Sequence, residues 1–236
     1  GLAYNMMGQM PAAIEAYQQS AELNPDNAAV FNILGNLLYR IDDVAAAIPY
    51  YQKAAELSPN VPYNHENLGL AYEKLGQFPA AEAAYQKALE VAFDDNKALY
   101  YNRLGVFYYT QSQNEKAIEY YQQAIKFDST NVIFYDNLGL AYEYAYQLEA
   151  AEQAYLQALD RADEKDYYHT RLGNLYLKMH DSVRAQEQFE AAIAADPYQS
   201  MYYDNLSFVF EQQQQWDKAI RAYERAIALD PDEALY

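Results

Sequence analysis

The chain contains no cysteine, which excludes a disulfide scaffold, a thiolate zinc or iron–sulfur site and thiol catalysis, and leaves the redox character of its compartment open. Basic residues are scarce: 16 Lys plus Arg stand against 34 Asp plus Glu, a net charge of −18. So acidic a chain repels phosphate backbones and anionic bilayers, so neither nucleic acid nor a membrane is an expected partner. No apolar run approaches the ~18 residues that a membrane span requires. Glycine and proline number only 8 each, and a hydrophobic content of 52% is too high for a disordered chain. What abounds is tyrosine, at 27 of 236 residues. The sequence opens on Gly1 with no charged segment and apolar core behind it, so no signal peptide is read. Either processing removed one or the chain is a piece of something longer. A cytoplasmic location is the default expectation, with secreted and periplasmic ones open.

The sequence repeats itself. Gly1, Gly35, Gly69, Gly105, Gly139, Gly173 and Ser207 follow one another at steps of 34, 34, 36, 34, 34 and 34 residues, most of them preceded by Leu. Three residues after each stands a large apolar side chain: Tyr4, Leu38, Tyr72, Tyr108, Tyr142, Tyr176 and Phe210. Twelve after comes an alanine, from Ala13 to Ala219. Sixteen after comes an aromatic: Tyr17, Tyr51, Tyr85, Tyr121, Tyr155, Phe189 and Tyr223. Nineteen after comes a small residue again, from Ser20 to Ala226, and Pro25, Pro59, Pro197 and Pro231 end four of the units. Apolar residues at three- and four-residue spacing make each unit two helices, expected over unit positions 2–14 and 15–28.

This pattern resembles the tetratricopeptide repeat: an aromatic, Leu-Gly, Tyr, then Ala with an aromatic four later, then Pro, in 34 residues. The resemblance covers the whole chain. It implies an all-α fold, a right-handed superhelical solenoid of tandem helix-turn-helix repeats forming a single domain. With Leu-Gly at positions 7 and 8, the units fall at 1–27 (partial), 28–61, 62–97, 98–131, 132–165, 166–199 and 200–233, with the start of an eighth at 234. The third unit carries two extra residues around Phe93–Asn96 and lacks its closing Pro, and Ser129 and Asp163 replace Pro in the next two, which predicts looser joints at all three. Gly35 and its equivalents should sit where two helices approach too closely for a side chain. Pro11 and Pro79 fall near a helix start, where a missing N–H matters little, whereas Pro49 lies deeper and should distort its helix.

Most of the tyrosines are thereby accounted for as framework. Fourteen occupy aromatic positions 4, 11 and 24, four more sit where the family favours Tyr, and nine remain as candidate contact anchors.

The resemblance also implies that the first helix of each pair lines a concave face through positions 2, 5, 6, 9, 12 and 13. Along those positions a second period appears. Glu66, Asn67 and Glu73 recur as Asp136, Asn137 and Glu143, then as Asp204, Asn205 and Glu211. The units between give Asn102, Arg103 and Tyr109, then Thr170, Arg171 and Leu177. Positions 5 and 12 are two helical turns apart, so each acid pair shares a face. Two readings of this alternation stand open. In one, Arg103 and Arg171 neutralise neighbouring carboxylates on a solvated surface. In the other, Asn67, Asn137 and Asn205 form a ladder whose amides grip an extended peptide backbone, as in the repeat region of O-linked N-acetylglucosamine transferases, which it resembles. A few such bonds fall short of the ~8 kcal/mol of micromolar binding, so Tyr63, Tyr109, Tyr144 and Tyr167 would supply aromatic pockets. Asn36, Asn67 and Arg103 also match three of the five positions with which chaperone-binding members clamp a terminal carboxylate. The two Lys positions hold Asn32 and Leu99, which argues against carboxylate capture and for a protein or peptide partner with basic and aromatic residues.

Enzymatic chemistry is not expected. His65 and His169 occupy an aromatic framework position, His180 lies in a turn, and none has a second His at metal-ligand spacing. The eight Gly all fall at repeat positions 8 or 15, so no phosphate loop and no cofactor site is read. Asn205-Leu206-Ser207 matches a glycosylation sequon by chance, in a predicted helix. Both ends expose framework residues without a polar cap. The chain is therefore read as a non-enzymatic scaffold for a partner segment, with two alternatives: end-to-end self-assembly into oligomers or filaments, or the targeting region of a larger protein.

Overall fold

A computed structural model describes residues 1–231, so the start of an eighth unit at 234 lies outside the described residues. The described residues hold fourteen helices and no strand: α1 (Leu2–Met6), α2 (Met10–Leu23), α3 (Ala28–Arg40), α4 (Val44–Leu57), α5 (Pro62–Lys74), α6 (Phe78–Val91), α7 (Asp94–Thr110), α8 (Asn114–Phe127), α9 (Val132–Tyr144), α10 (Leu148–Arg161), α11 (Lys165–Lys178), α12 (Ser182–Ala195), α13 (Ser200–Gln212) and α14 (Trp216–Leu229). They form the tandem helix pairs of the expected all-α class. Helices α3, α5, α9, α11 and α13 each pack on the helix that follows, and α2, α4, α8, α10 and α12 each pack on the first helix of the next pair. The chain groups into two compact units, residues 1–107 and residues from Tyr108 onward.

The glycine at position 8 is explained by the ring at position 24. A Cβ on Gly35 would lie 2.5 Å from the Tyr51 ring, on Gly69 2.6 Å from Tyr85, on Gly139 2.4 Å from Tyr155 and on Gly173 2.6 Å from Phe189. Those four rings are buried, as are the alanines Ala47, Ala54, Ala81, Ala88, Ala151, Ala158, Ala185 and Ala192 of the second helices. Small residues thus let the two helices of a pair close on an aromatic ring, and the 34-residue spacing repeats that contact in both compact units.

The helix boundaries differ from expectation by one or two residues. First helices end at position 13 and second helices start at position 17, because the turn closes in a left-handed residue at position 15. In the second unit Tyr146 donates its N–H to Glu143 O (3.2 Å) and Gln147 donates to Tyr142 O (2.9 Å), a paired C-terminal cap that recurs at His180 and Asp181 and at Gln214 and Gln215. Only Gly8 and Gly76 meet that conformation with glycine; Asp42, Ser112, Tyr146, His180 and Gln214 adopt it with φ of 57° to 67°.

The two extra residues of the third repeat do not lengthen its turn. They add a turn to α7, which runs 17 residues where α5 and α9 run 13. At the joint where Ser129 replaces Pro, Asp128 Oδ1 accepts from the N–H (2.9 Å) and the hydroxyl (2.6 Å) of Thr130. Ser129 O there accepts from Tyr135 Oη at 3.1 Å and Arg161 Nε at 3.0 Å, so hydrogen bonds hold that joint in place of proline. Pro11 and Pro79 stand in the first turns of α2 and α6, as expected. Pro49, expected to distort a helix start, lies inside α4, which begins at the same repeat position as α6 and α10 and keeps their 14-residue length.

Candidate functional site

The side chains singled out by the second period lie on first helices, and in each compact unit bonds between neighbouring first helices join several of them. In the first unit these helices are α1, α3 and α5 with the part of α7 up to Phe107. Arg103 Nε donates to Glu66 Oε1 at 2.9 Å, linking α7 to α5. Glu73 Oε2 accepts from the Tyr85 hydroxyl at 2.6 Å. Burial, then that carboxylate, pushes the Tyr85 phenol pKa up, so the hydroxyl stays a donor. Asn67 Nδ2 donates to Asn32 Oδ1 and Asn36 Oδ1, each at 3.3 Å, linking α5 to α3. Asn36 Oδ1 also accepts from Tyr51 Oη at 2.9 Å. Arg40 Nη1 reaches Asn5 Oδ1 on α1 at 3.3 Å, and Lys74 lies over the Tyr39 ring at 4.8 Å. A cavity of about 380 Å³ opens here between Asn5, Ile33, Asn36, Arg40, Tyr51 and Asn67. Tyr63, half exposed, does not line it; it lines another, of about 470 Å³, with Asn24, Asn27, Ser58 and Asn64.

In the second unit Asp136, Glu143 and Arg171 occupy the repeat positions of Glu66, Glu73 and Arg103. Arg171 Nε lies 3.7 Å from Asp136 Oδ1 and donates to Tyr167 Oη at 2.9 Å, while Tyr167 Oη donates to Asp136 Oδ2 at 3.4 Å. Asp136 Oδ1 is buried without a hydrogen bond, and burial raises the Asp136 pKa against the lowering effect of Arg171. Glu143 accepts from Tyr155 Oη at 2.8 Å and pairs with Lys178 of α11. Arg171 also stands 5.2 Å from the centre of the Tyr167 ring and 5.9 Å from that of Tyr155. Tyr109 and Tyr144 meet edge to face at 5.5 Å, and burial with the neighbouring phenol pushes the Tyr109 pKa up to about 12. Asn137 follows Asp136 on α9, and Asp204, Asn205 and Glu211, all partly buried, stand on α13.

The pairing of Arg103 and Arg171 with carboxylates is therefore present in both units. The three side chains that match the carboxylate clamp turn their donors on their own chain: Asn36 Nδ2 to Asn32 Oδ1 at 3.1 Å, Asn67 to Asn32 and Asn36, and Arg103 to Glu66. The sequence reading missed two kinds of participant. Asn64, at a position filled elsewhere by Val30, Tyr100, Phe134, Tyr168 and Tyr202, is buried in the first unit; an amide amid that apolar series was the available signal. The position-24 tyrosines, taken as ring fillers, also place their hydroxyls on Asn36, Glu73 and Glu143.

His65 packs as a framework residue, with Nε2 2.7 Å from Pro59 O, and His169 Nδ1 meets Gln188 Oε1 at 2.8 Å. Among the described residues no group of three or more His, Asp or Glu could hold a metal ion, and no helix is long and apolar enough to cross a membrane.

Tandem helix pairs closed on a glycine–aromatic contact define a helical-repeat protein. Models of the tetratricopeptide repeat match residues 2–62, 61–130 and 200–233, together more than half of the chain, which belongs to that family. Among curated proteins no relative matches. Among solved structures, the C-terminal part of a repeat protein from Cytophaga hutchinsonii is similar at a TM-score of 0.81 and 19% identity, covering 98% of this chain and 94% of that one. The MamA protein is similar at a TM-score of 0.64 and 24% identity, over 75% of this chain and 96% of its own. YrrB, described as a protein of this repeat class with an unusual peptide-binding site, is similar at a TM-score of 0.51 and 19% identity, over 93% and 95% of the two chains. At these identities the likeness concerns the fold.

Proposed function

We propose that this protein is a non-enzymatic scaffold that holds a segment of another protein on the face lined by its first helices. The observation that carries the reading is the set of side-chain bonds between successive first helices, Asn67 to Asn32 and Asn36, Arg103 to Glu66, and Arg171 to Asp136, which preorganise polar groups along each unit. Preorganised amides, ion pairs and tyrosine rings suit an extended chain, which brings backbone N–H and C=O groups at regular spacing. The peptide-binding site described for YrrB is in keeping with this. Asn67, Asn137 and Asn205, with Tyr109, Tyr144 and Tyr167, are the proposed contacts, and basic and aromatic residues the partner's expected complement to the acids of the second unit. The test is titration of a peptide selected from a random library against wild type and Asn67→Ala, Asn137→Ala and Asn205→Ala variants. Weakened binding with unchanged helicity supports the reading; affinity equal to wild type in all three removes it.

One observation favours a second reading, self-association. Trp216, Ile220 and Ile227 form an exposed apolar stripe along one side of α14. Light scattering over a hundredfold concentration range tests it: a constant mass near 27 kDa removes it, and growth without plateau supports it.

A further inference from the structure

The direction of the Asn67 amide can be deduced from its neighbours, and it decides what the first unit's face can take. The deduction begins at Asn64, 1% exposed, whose Nδ2 donates to the carbonyls of Ala54 (3.1 Å) and Ser58 (3.3 Å). Backbone carbonyls only accept, so the Asn64 amide cannot be turned over. Its Oδ1 therefore faces Asn32, 4% exposed, and accepts from Asn32 Nδ2 at 3.0 Å. Asn32 Oδ1 in turn accepts from Asn36 Nδ2 at 3.1 Å, which leaves Asn36 Oδ1 for the Tyr51 hydroxyl at 2.9 Å. Both oxygens meet Asn67, whose Nδ2 donates to each at 3.3 Å. The two protons of the Asn67 amide are thus directed inward. Its Oδ1 takes no bond within this network, and the partly exposed Asn67 side chain lines the cavity wall.

We propose that Asn67 faces the binding surface as a hydrogen-bond acceptor only, locked by Asn64, and that the cavity it lines takes a neutral N–H donor, the peptide N–H of an extended partner. A carboxylate, which Arg40 on the cavity wall would attract, would still set an oxygen against Asn67 Oδ1. A Lys or Arg side chain would meet the guanidinium of Arg40, which lines the same cavity. Asn64 is then a positioning residue.

This inference rests on the peptide-binding reading, and two experiments separate their failures. The first needs no ligand. Asn67→Asp replaces the inward N–H groups with an oxygen facing two oxygens that Asn64 holds in place, whereas Asn67→Ala leaves those oxygens with Asn36 and Tyr51 as donors. Asn67→Asp should melt at least about 4 °C below Asn67→Ala at pH 7. Equal melting, or a more stable Asn67→Asp, overturns the lock. Slow hydrogen exchange of the Asn67 side-chain amide checks the same point in the wild-type protein, and exchange as fast as in a free asparagine overturns it. In the second, a library-selected peptide is resynthesised with each backbone N–H in turn replaced by an ester oxygen. One ester should weaken binding about tenfold in wild type and leave binding to Asn67→Ala unchanged. No ester coupled to Asn67, or tighter binding of a peptide whose carboxylate requires Asn67, overturns the proposal. If no peptide is selected at all, the scaffold reading fails while the first experiment still decides the amide direction.

Discussion

The two compact units build the same repeat positions from different polar chemistry. Residues 1–107 use neutral amides, Asn32, Asn36, Asn64 and Asn67, with ion pairs from Arg103 to Glu66 and from Lys74 to Asp42 beside them. In the second unit Asp136, Glu143, Arg171 and Lys178 do the corresponding work with charge, and Tyr155 and Tyr167 mediate. The apolar framework below does not change: a glycine at position 8 lies under a ring at position 24 in both. The fold therefore constrains the buried positions and leaves the exposed face of each first helix free to vary. An amide network is insensitive to salt, and a partly exposed charge network is screened by it.

The largest effect should come from breaking the amide network at its anchor. Asn64→Ala strips Asn32 of its acceptor and two backbone carbonyls of a donor, and should destabilise the first unit by about 3 kcal/mol, equally at 0.05 and 0.5 M NaCl in denaturant melts. Its counterpart, Arg171→Ala, leaves Asp136 without its cation. It should destabilise the second unit by about 2 kcal/mol, a loss that shrinks in 0.5 M salt. Gly69→Ala and Gly139→Ala probe what the units share. Each drives a Cβ into a buried tyrosine ring, and after the helix-propensity gain of alanine each should cost about 2 kcal/mol, alike within error by the same melts. Tyr146→Gly should stabilise the second unit by about 1 kcal/mol, because Tyr146 holds φ of 57° where glycine is unstrained. The smallest effect concerns pH. Burial raises the folded pKa of Asp136 above its ordinary 3.8, so the folded state binds this proton more tightly than the unfolded chain. The contribution of Asp136 to stability is then greatest below about pH 4 and declines as the pH climbs through its folded value. Asp136→Asn should flatten that slope in melts between pH 4 and 7, and an unchanged slope would assign it to other groups.

The fold was legible because it is written seven times. Glycine, alanine and aromatic residues at fixed offsets state the helix pairs, and the contact of Gly139 with Tyr155 is the physical reason for two of those offsets. The turn was less legible. Its left-handed position carries glycine only at Gly8 and Gly76, so Tyr146 or Gln214 gave no sign that position 15 closes the helix. Of the candidate face, the resemblance to the repeat family placed Asn67, Arg103, Asp136 and Arg171 on first helices, and the seven-residue spacing put Asp136 and Glu143 on one side of theirs. It could not show that Asn67 points its protons inward. That depends on Asn64, whose side chain reaches the end of the preceding helix, a contact set by packing between repeats rather than by spacing within one. The tyrosine hydroxyls were missed for a related reason: ring volume explains their positions so well that Oη of Tyr85 and Tyr155 had no evident task.

The central claim, that the first-helix faces bind a partner segment, is tested most directly by mapping a library-selected peptide onto the isotopically labelled protein by nuclear magnetic resonance. The account predicts saturable shifts at Asn36, Asn67 and Arg40 in the first unit or at Tyr109, Tyr144 and Arg171 in the second, with the exposed side of the second helices unmoved. Saturable shifts confined to second helices, such as the Trp216 side of α14, would contradict it.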